Sequence, residues 1–216
     1  MKRQFAVIGL GRFGSSVART LFSMGYDVLA LDVDEQRVQD LSKVVTHAVQ
    51  GDAREEETLR AVGIRNFDVV IVAIGQDIQS SILITVLLKE LGVKCVVAKA
   101  QNELHAKVLY KVGADKVVFP ERDMGARLAR NMVAANVLDY IQLSPDYSIV
   151  EIATSEAWQG KTLRELNLRA RFGINVLAIK RDKALVVAPG ADDVVEEGDV
   201  LVVVGSNANI DQLERV

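Results

Sequence analysis

The hexapeptide G-L-G-R-F-G at residues 9–14 constrains this chain more than any other stretch. It follows the apolar run Phe5-Ala6-Val7-Ile8 directly. It opens a segment in which Phe13, Val17, Leu21 and Met24 recur at helical spacing. A strand, a glycine turn and a helix in that order form a phosphate cradle. Gly9 permits the tight turn, Gly11 lets backbone approach a pyrophosphate, and Gly14 permits close helix–strand packing. The helix start offers free N–H groups and the positive end of its dipole. The pattern also needs an acid at the end of the next strand, and Asp32 stands 18 residues after Gly14. A carboxylate there accepts from ribose hydroxyls and repels a 2′-phosphate, which disfavours NADP. Arg12 sits where many dinucleotide sites carry a small or apolar residue. Its guanidinium suits a terminal phosphate and tilts the ligand from NAD towards ATP or ADP.

The periodicity around this motif predicts an α/β fold, a Rossmann-like doubly wound parallel sheet, with a second, smaller α+β domain. Apolar strand-like runs (5–8, 28–31, around 48–49, 69–74, 95–98 and 117–119) alternate with helical ones (12–24, 35–43, 55–62, 78–91 and 103–112). A further helix over 123–138 carries Leu128, Met132, Ala135 and Leu138 on one stripe, flanked by Val133 and Val137. That stripe docks either on its own sheet or on a second subunit. Residues 143–146 read as a linker. Domains are therefore expected at 1–141 and 142–216, the second with strands at 147–154, 174–180, 184–188 and 199–204 and helices at 162–166 and 207–214.

Composition removes several function classes. Lys plus Arg is 26 and Asp plus Glu is 29, a net charge of −3, which argues against nucleic acid as a partner. Only 5% of residues are aromatic, leaving few rings for base stacking. No apolar run approaches a membrane span. The amino terminus enters a strand at once, so no signal peptide is expected, and one cysteine suits a reducing cytoplasm. Two histidines and one cysteine make a closed zinc site improbable.

In open α/β sheets, ligands bind at the carboxyl ends of the strands. Asp52 and Ala53 follow the third strand, Ile74 and Gly75 the fourth, Lys99 and Gln101 the fifth, and Glu121 the sixth. Each taken singly is also a common cap or turn residue. Together they ring one sheet edge.

Five stretches make the chain resemble the RCK (KTN) domain family over nearly its whole length. They are F-A-V-I-G-L-G-R-F-G at 5–14, R-N-F-D-V-V-I-V-A-I-G at 65–75, V-A-K-A-Q-N at 97–102, G-A-D-K-V-V-F-P-E-R-D-M-G at 113–125 and G-D-V-L-V-V-V-G at 198–205. The resemblance implies a cytoplasmic regulatory subunit of a bacterial potassium uptake system. Dimers would assemble into an octameric ring on a KtrB/TrkH-like membrane subunit, at the inner face of the membrane. It implies that ATP and ADP compete for the crevice and set different ring shapes. Arg12 would reach the γ-phosphate of ATP across the dimer. Asp32, with Asp34 beside it, would hold the ribose. Glu121 would bind an activating Mg²⁺ or Ca²⁺, and Lys99, Gln101 and His105 would line the same pocket. Asp52 stands where some relatives carry Asn. In some members paired C-terminal modules bind cyclic di-AMP; Leu168, Arg169, Asn175, Val176 and Pro189 match that pattern, although Leu168, Val176 and Pro189 also suit ordinary core and turn positions.

Two other functions fit the glycine motif. One is an NAD(H)-sensing ring of the same kind. The other is an NAD-dependent oxidoreductase, which the short second domain, lacking a proton-relay histidine, disfavours. The expectation is a protein that is not an enzyme.

Overall fold

The computed structural model describes residues 3–133, 137–182 and 184–213. The chain divides into two compact units, Met1–Arg122 and Asp123–Val216.

The first unit alternates β1 (Gln4–Ile8), α1 (Arg12–Ser23), β2 (Asp27–Asp32), α2 (Glu35–Leu41), β3 (His47–Gln50), α3 (Glu56–Ala61), β4 (Val69–Val72), α4 (Ile78–Glu90), β5 (Val96–Lys99), α5 (Glu103–Lys111) and β6 (Lys116–Val118). All six strands are parallel, in the order β3-β2-β1-β4-β5-β6. Successive side chains of a strand point to opposite faces, so a sheet covered on both faces needs apolar residues at every position. β1 and β4 meet that demand. Ala6, Ile8, Val70 and Val72 pack on one face with Leu59, Ile84 and Leu88. Val7 and Ile71 pack on the other with Ala18, Val38 and Leu41. The chain runs outward from β1 to β3 and then crosses back to β4. That reversal opens a crevice at the carboxyl ends of β1 and β4.

α6 (Pro120–Val133) follows β6, and Pro120 suits a first helical position, where no N–H is required. The expected helix over 123–138 is thus shorter. Leu138 belongs to β7 (Val137–Gln142), and Ala135 lies outside the described residues. The stripe of four predicted positions merged the end of a helix with the start of a strand, since both are apolar.

The second unit adds β8 (Tyr147–Ala153), α7 (Leu163–Leu166), α8 (Leu168–Phe172), β9 (Asn175–Arg181), β10 (Ala184–Val187), β11 (Val200–Ser206) and α9 (Asn207–Leu213). Its antiparallel sheet has the order β10-β9-β11-β8-β7. Val150, Ile152, Trp158, Leu166, Ile179, Leu201 and Val203 form its core. The expected linker at 143–146 is the turn of the β7–β8 hairpin: the N–H groups of Leu143 and Ser144 both donate to the carbonyl of Tyr147, at 2.9 and 3.1 Å. The expected division at 141/142 therefore falls within a strand.

One charged group anchors this second core. Asp199 is 1% exposed, and its carboxylate accepts from Arg181 Nε and Nη2, both at 2.8 Å, and from the Glu196 N–H at 2.8 Å. Those bonds hold its carboxyl below the usual carboxylate range, with the Arg181 hydrogen bonds the largest cause.

Candidate nucleotide site

A cleft of about 880 Å³ opens at the crevice between β1 and β4. That volume lies within the range of small-molecule and cofactor sites. Its walls include Gly9, Gly11, Arg12, Phe13, Asp32, Asp52, Ala53, Ile74, Gly75, Lys99, Gln101 and Glu121. Six separate strand ends bring these residues together.

The glycine turn shows three distinct needs. A Cβ on Gly14 would lie 1.9 Å from the Gly9 carbonyl oxygen, so the third glycine is required by packing. Gly9 has φ +90°, a conformation that side chains strain. A Cβ on Gly11 would meet no protein atom within 4 Å; the room there is open cleft. No side chain caps α1 at Gly11, and its first turn holds no acid. Among the described residues the N–H groups of Gly11, Arg12, Phe13 and Gly14 have no hydrogen-bond acceptor. By contrast, Asp34 caps α2, Asp77 caps α4 and Asn102 caps α5. A helix start left open at a cleft is a ready anion site.

Asp32 is 7% exposed. One carboxylate oxygen accepts from the Leu10 N–H at 2.5 Å, the other from the Asp34 N–H at 2.9 Å. The acid thereby ties the glycine turn to the end of β2. A carboxylate has about four acceptor positions, so capacity remains for a ligand's hydroxyls. Arg37 Nη1 stands 3.6 Å from it.

Every other acid of the cleft has its own protein partner. Asp52 is forked by Arg54, whose hydrogen bond is the main cause lowering its carboxyl below the usual range. Asp77 accepts from the Ser80 hydroxyl at 2.5 Å and N–H at 3.0 Å, which lower its pKa in the same way. Glu121 pairs with Lys99, and that bond depresses its pKa. Lys99 also lies 5.8 Å from the centre of the Phe13 ring. Arg12 is exposed and, among the described residues, forms no ion pair. It is the cleft cation left for a ligand.

Three expected residues stand elsewhere. Gly14 lies behind the cleft, in the packing contact just described. Asp34 spends one oxygen on the N–H groups of Gln36 and Arg37, at 3.0 and 3.3 Å, and so caps α2. His105 is 2% exposed, and its Nδ1 accepts from the Gln101 N–H at 3.3 Å. Burial pushes its pKa down, and the neutral ring braces the turn that carries Gln101. Sequence reading missed Arg37, Arg54 and Asp77, which also line the cleft. Their positions four or five residues past a strand end were the available signal.

Among the described residues no group of three or more His, Cys, Asp or Glu is placed to hold a metal. Glu121, paired with Lys99 and with its side chain 68% exposed, is a cleft carboxylate that a ligand can approach. That suits Mg²⁺, which is commonly held by one or two carboxylates plus substrate phosphates.

In the second unit Leu168 is buried and Val176 packs against the same core. Arg169 and Asn175 are exposed, and Pro189 lies just beyond β10.

A six-stranded parallel sheet with an open glycine turn at its switch point, followed by a small antiparallel domain, defines a two-domain protein of the Rossmann-like class. Family models narrow this: residues 5–120 match the TrkA-N domain and residues 147–216 the TrkA-C domain, so the chain belongs to the TrkA-N/TrkA-C (RCK) family. It is 51% identical to the Ktr system potassium uptake protein C of Bacillus subtilis (strain 168), over 100% of this chain and 97% of that one. It is 47% identical to the Ktr system potassium uptake protein A of the same organism, over 99% and 96%. Among solved structures, the GsuK channel bound to NAD matches with TM-score 0.54 and 25% identity, over 99% of this chain and 38% of that one.

Proposed function

We propose that the protein is a nucleotide-sensing regulatory subunit that gates a KtrB/TrkH-like potassium-translocating membrane subunit. The carrying observation is the uncapped start of α1, with Arg12 unpaired beside it at the cleft. Its membership of a potassium uptake family supports the transport context. It works in the cytoplasm, held at the inner membrane face through its partner, and catalyses no reaction. Among the described residues no helix is long and apolar enough to cross a membrane.

The switch is a difference in binding. A ligand shifts a two-state assembly only by binding its states unequally. ATP differs from ADP by one phosphate, and Arg12 is the group to read it. Glu121 beside a polyphosphate is repulsive until Mg²⁺ or Ca²⁺ bridges the two. Lys99, now on Glu121, then turns to the phosphates. Asp32 holds the ribose. In the second domain, Arg169 and Asn175 take a phosphate and a base of cyclic di-AMP. Met124, Leu128 and Met132 on α6 are 60%, 57% and 77% exposed and four residues apart, a stripe suited to pairing two subunits, with four such dimers closing an octameric ring.

Thermal shift with ATP, ADP, NAD and NADH, with and without Mg²⁺, tests this directly. A ligand that binds the folded state alone raises the melting temperature. ATP is expected to stabilise most, with a further rise on Mg²⁺ that Glu121→Gln abolishes. A larger shift with NADH at equal concentration sinks the ATP reading. It would favour NAD(H) sensing instead, the alternative that the NAD-bound channel supports.

A further inference from the structure

The strands of the first unit are parallel, so their amino ends share the edge opposite the cleft. Four neighbouring strands, β1, β4, β5 and β6, are each led in by a base. Arg3 precedes β1, and Arg65 lies in the 3₁₀ turn Ile64–Asn66 before β4. Lys94 stands two residues before β5, and Lys116 opens β6. All four are exposed, and among the described residues none forms an ion pair. Neighbouring strands are about 4.8 Å apart, so the four strand starts span roughly 15 Å. Adjacent starts fall within the screening length at physiological salt, about 8 Å, and their charges act jointly.

The acids beside this row are engaged or offset. Asp68 accepts from the Gln4 N–H at 2.9 Å. Asp115 accepts from the Val96 N–H at 2.7 Å and from Lys89 Nζ at 3.0 Å. Glu90 at the end of α4 is offset by Lys111 at the end of α5. Past β1 the edge turns mixed, with Asp27 on β2 and Lys43 close behind Asp40. The opposite edge carries the acids of the cleft and, in the first turns of α2, α3 and α5, Glu35, Glu56, Glu57 and Glu103. The first unit is thus polarised, positive at the amino ends of β1, β4, β5 and β6.

A hollow of about 220 Å³ opens beside the row, lined by Arg60, Gly63, Ile64, Arg65, Asn66 and Leu91. It is smaller than cofactor sites, which run about 300–1,000 Å³, and suits a single phosphate group. Gly63 turns the chain there with φ +65°, and a Cβ on it would lie 3.2 Å from Asn66 Nδ2. The Asn66 amide has no partner among the described residues. Arg60 is taken by Glu56, so Arg65 supplies the unpaired charge. The negative ends of α3 and α4 are met by Arg60 and Lys89 in their own last turns.

We infer that this edge is a binding surface for anionic phospholipid, with one headgroup phosphate seated on Arg65 and Asn66. The cytoplasmic leaflet is negatively charged, and each Lys or Arg near it adds attraction. A row of point charges with a phosphate-sized hollow suits a field of headgroups better than an extended acidic peptide. Docked this way, the first unit keeps its cleft turned to the cytoplasm. The inference does not depend on which ligand fills that cleft. The alternative is four solvated bases, which predicts no attraction to vesicles.

Flotation of the full chain with vesicles of phosphatidylcholine, with and without phosphatidylglycerol, tests it. Wild type is expected to bind the phosphatidylglycerol vesicles about tenfold or more tighter than the neutral ones, and to release them as salt rises. Arg65→Glu with Lys94→Glu is expected to weaken that binding about tenfold or more, at an unchanged melting temperature. Lys161→Glu with Arg164→Glu makes the same change of net charge in the second unit and is expected to leave flotation unaltered. Asn66→Ala, which removes no charge, is expected to weaken binding about threefold. Equal loss in the two double variants overturns the inference, as does wild type that ignores phosphatidylglycerol. An unaltered Asn66→Ala removes the headgroup seat. Inorganic phosphate that displaces the vesicles at a concentration where chloride does not assigns the hollow to a free anion and overturns the lipid reading.

Discussion

Gly14 and Asp199 show how much single side chains decide. A Cβ at residue 14 must displace the Gly9 carbonyl, the turn on which the cleft depends. Gly14→Ala is expected to cost about 2 kcal/mol of stability, as overpacking does, and to erase the ATP-induced rise in melting temperature. Differential scanning fluorimetry reads both at once. Asp199, the buried one of several carboxylates held below their ordinary pKa, contributes to acid sensitivity. Its folded pKa lies below the unfolded value, so its contribution is complete above the unfolded pKa, about 3.9. It is lost as pH falls through the folded value. Asp199→Asn is expected to lower the urea midpoint at pH 7 and to shrink the difference between pH 7 and pH 3. An unchanged pH 7 midpoint contradicts that account. At this scale the sequence was informative where chemistry is tied to a motif, as at Gly9, Arg12 and Asp32. It was silent on Arg54, because an arginine two residues beyond an aspartate looks like any exposed base until the fork is seen.

Helix ends show why neighbours in sequence take different roles. Asp32 and Asp34 are two residues apart, yet one is buried beneath the glycine turn and the other sits on the α2 N-terminus. Asp34→Ala is therefore expected to destabilise by about 1 kcal/mol, the usual cost of a lost cap, while changing ATP affinity less than about threefold. Urea denaturation paired with titration distinguishes a cap from a ribose ligand. On α6, Leu128→Asp places a charge on the exposed stripe. We expect it to reduce the assembly to smaller species by light scattering; an unchanged mass rules the stripe out as a subunit contact. Element types were well signalled where periodicity was long, as in α1 and β4. They failed at 137 and 138, where the expected helix ran on into the apolar start of β7. α8 was missed because Asn167, with φ 46°, breaks the helical run before it.

Across the whole chain, alternation of strand and helix predicted a parallel sheet, because each strand had to be apolar on both faces. It did not reveal the order β3-β2-β1-β4-β5-β6, since the reversal after β3 leaves no local trace in composition. That order is what gathers Gly11, Asp32, Lys99 and Glu121 from separate strand ends into one cleft. The second sheet was harder to read: its hairpins are short, and the β7–β8 turn has the composition of a linker. A cleft in which, among the described residues, Arg12 forms no ion pair suits the proposed nucleotide-sensing role. The most direct test of that account is the affinity of wild type and Arg12→Ala for ATP and ADP, measured by titration calorimetry. Removal of the guanidinium is expected to weaken ATP about tenfold or more and ADP less than about threefold, the difference of one charge-assisted contact to the terminal phosphate. Equal weakening of both nucleotides, or none, would contradict the claim that Arg12 reads the γ-phosphate.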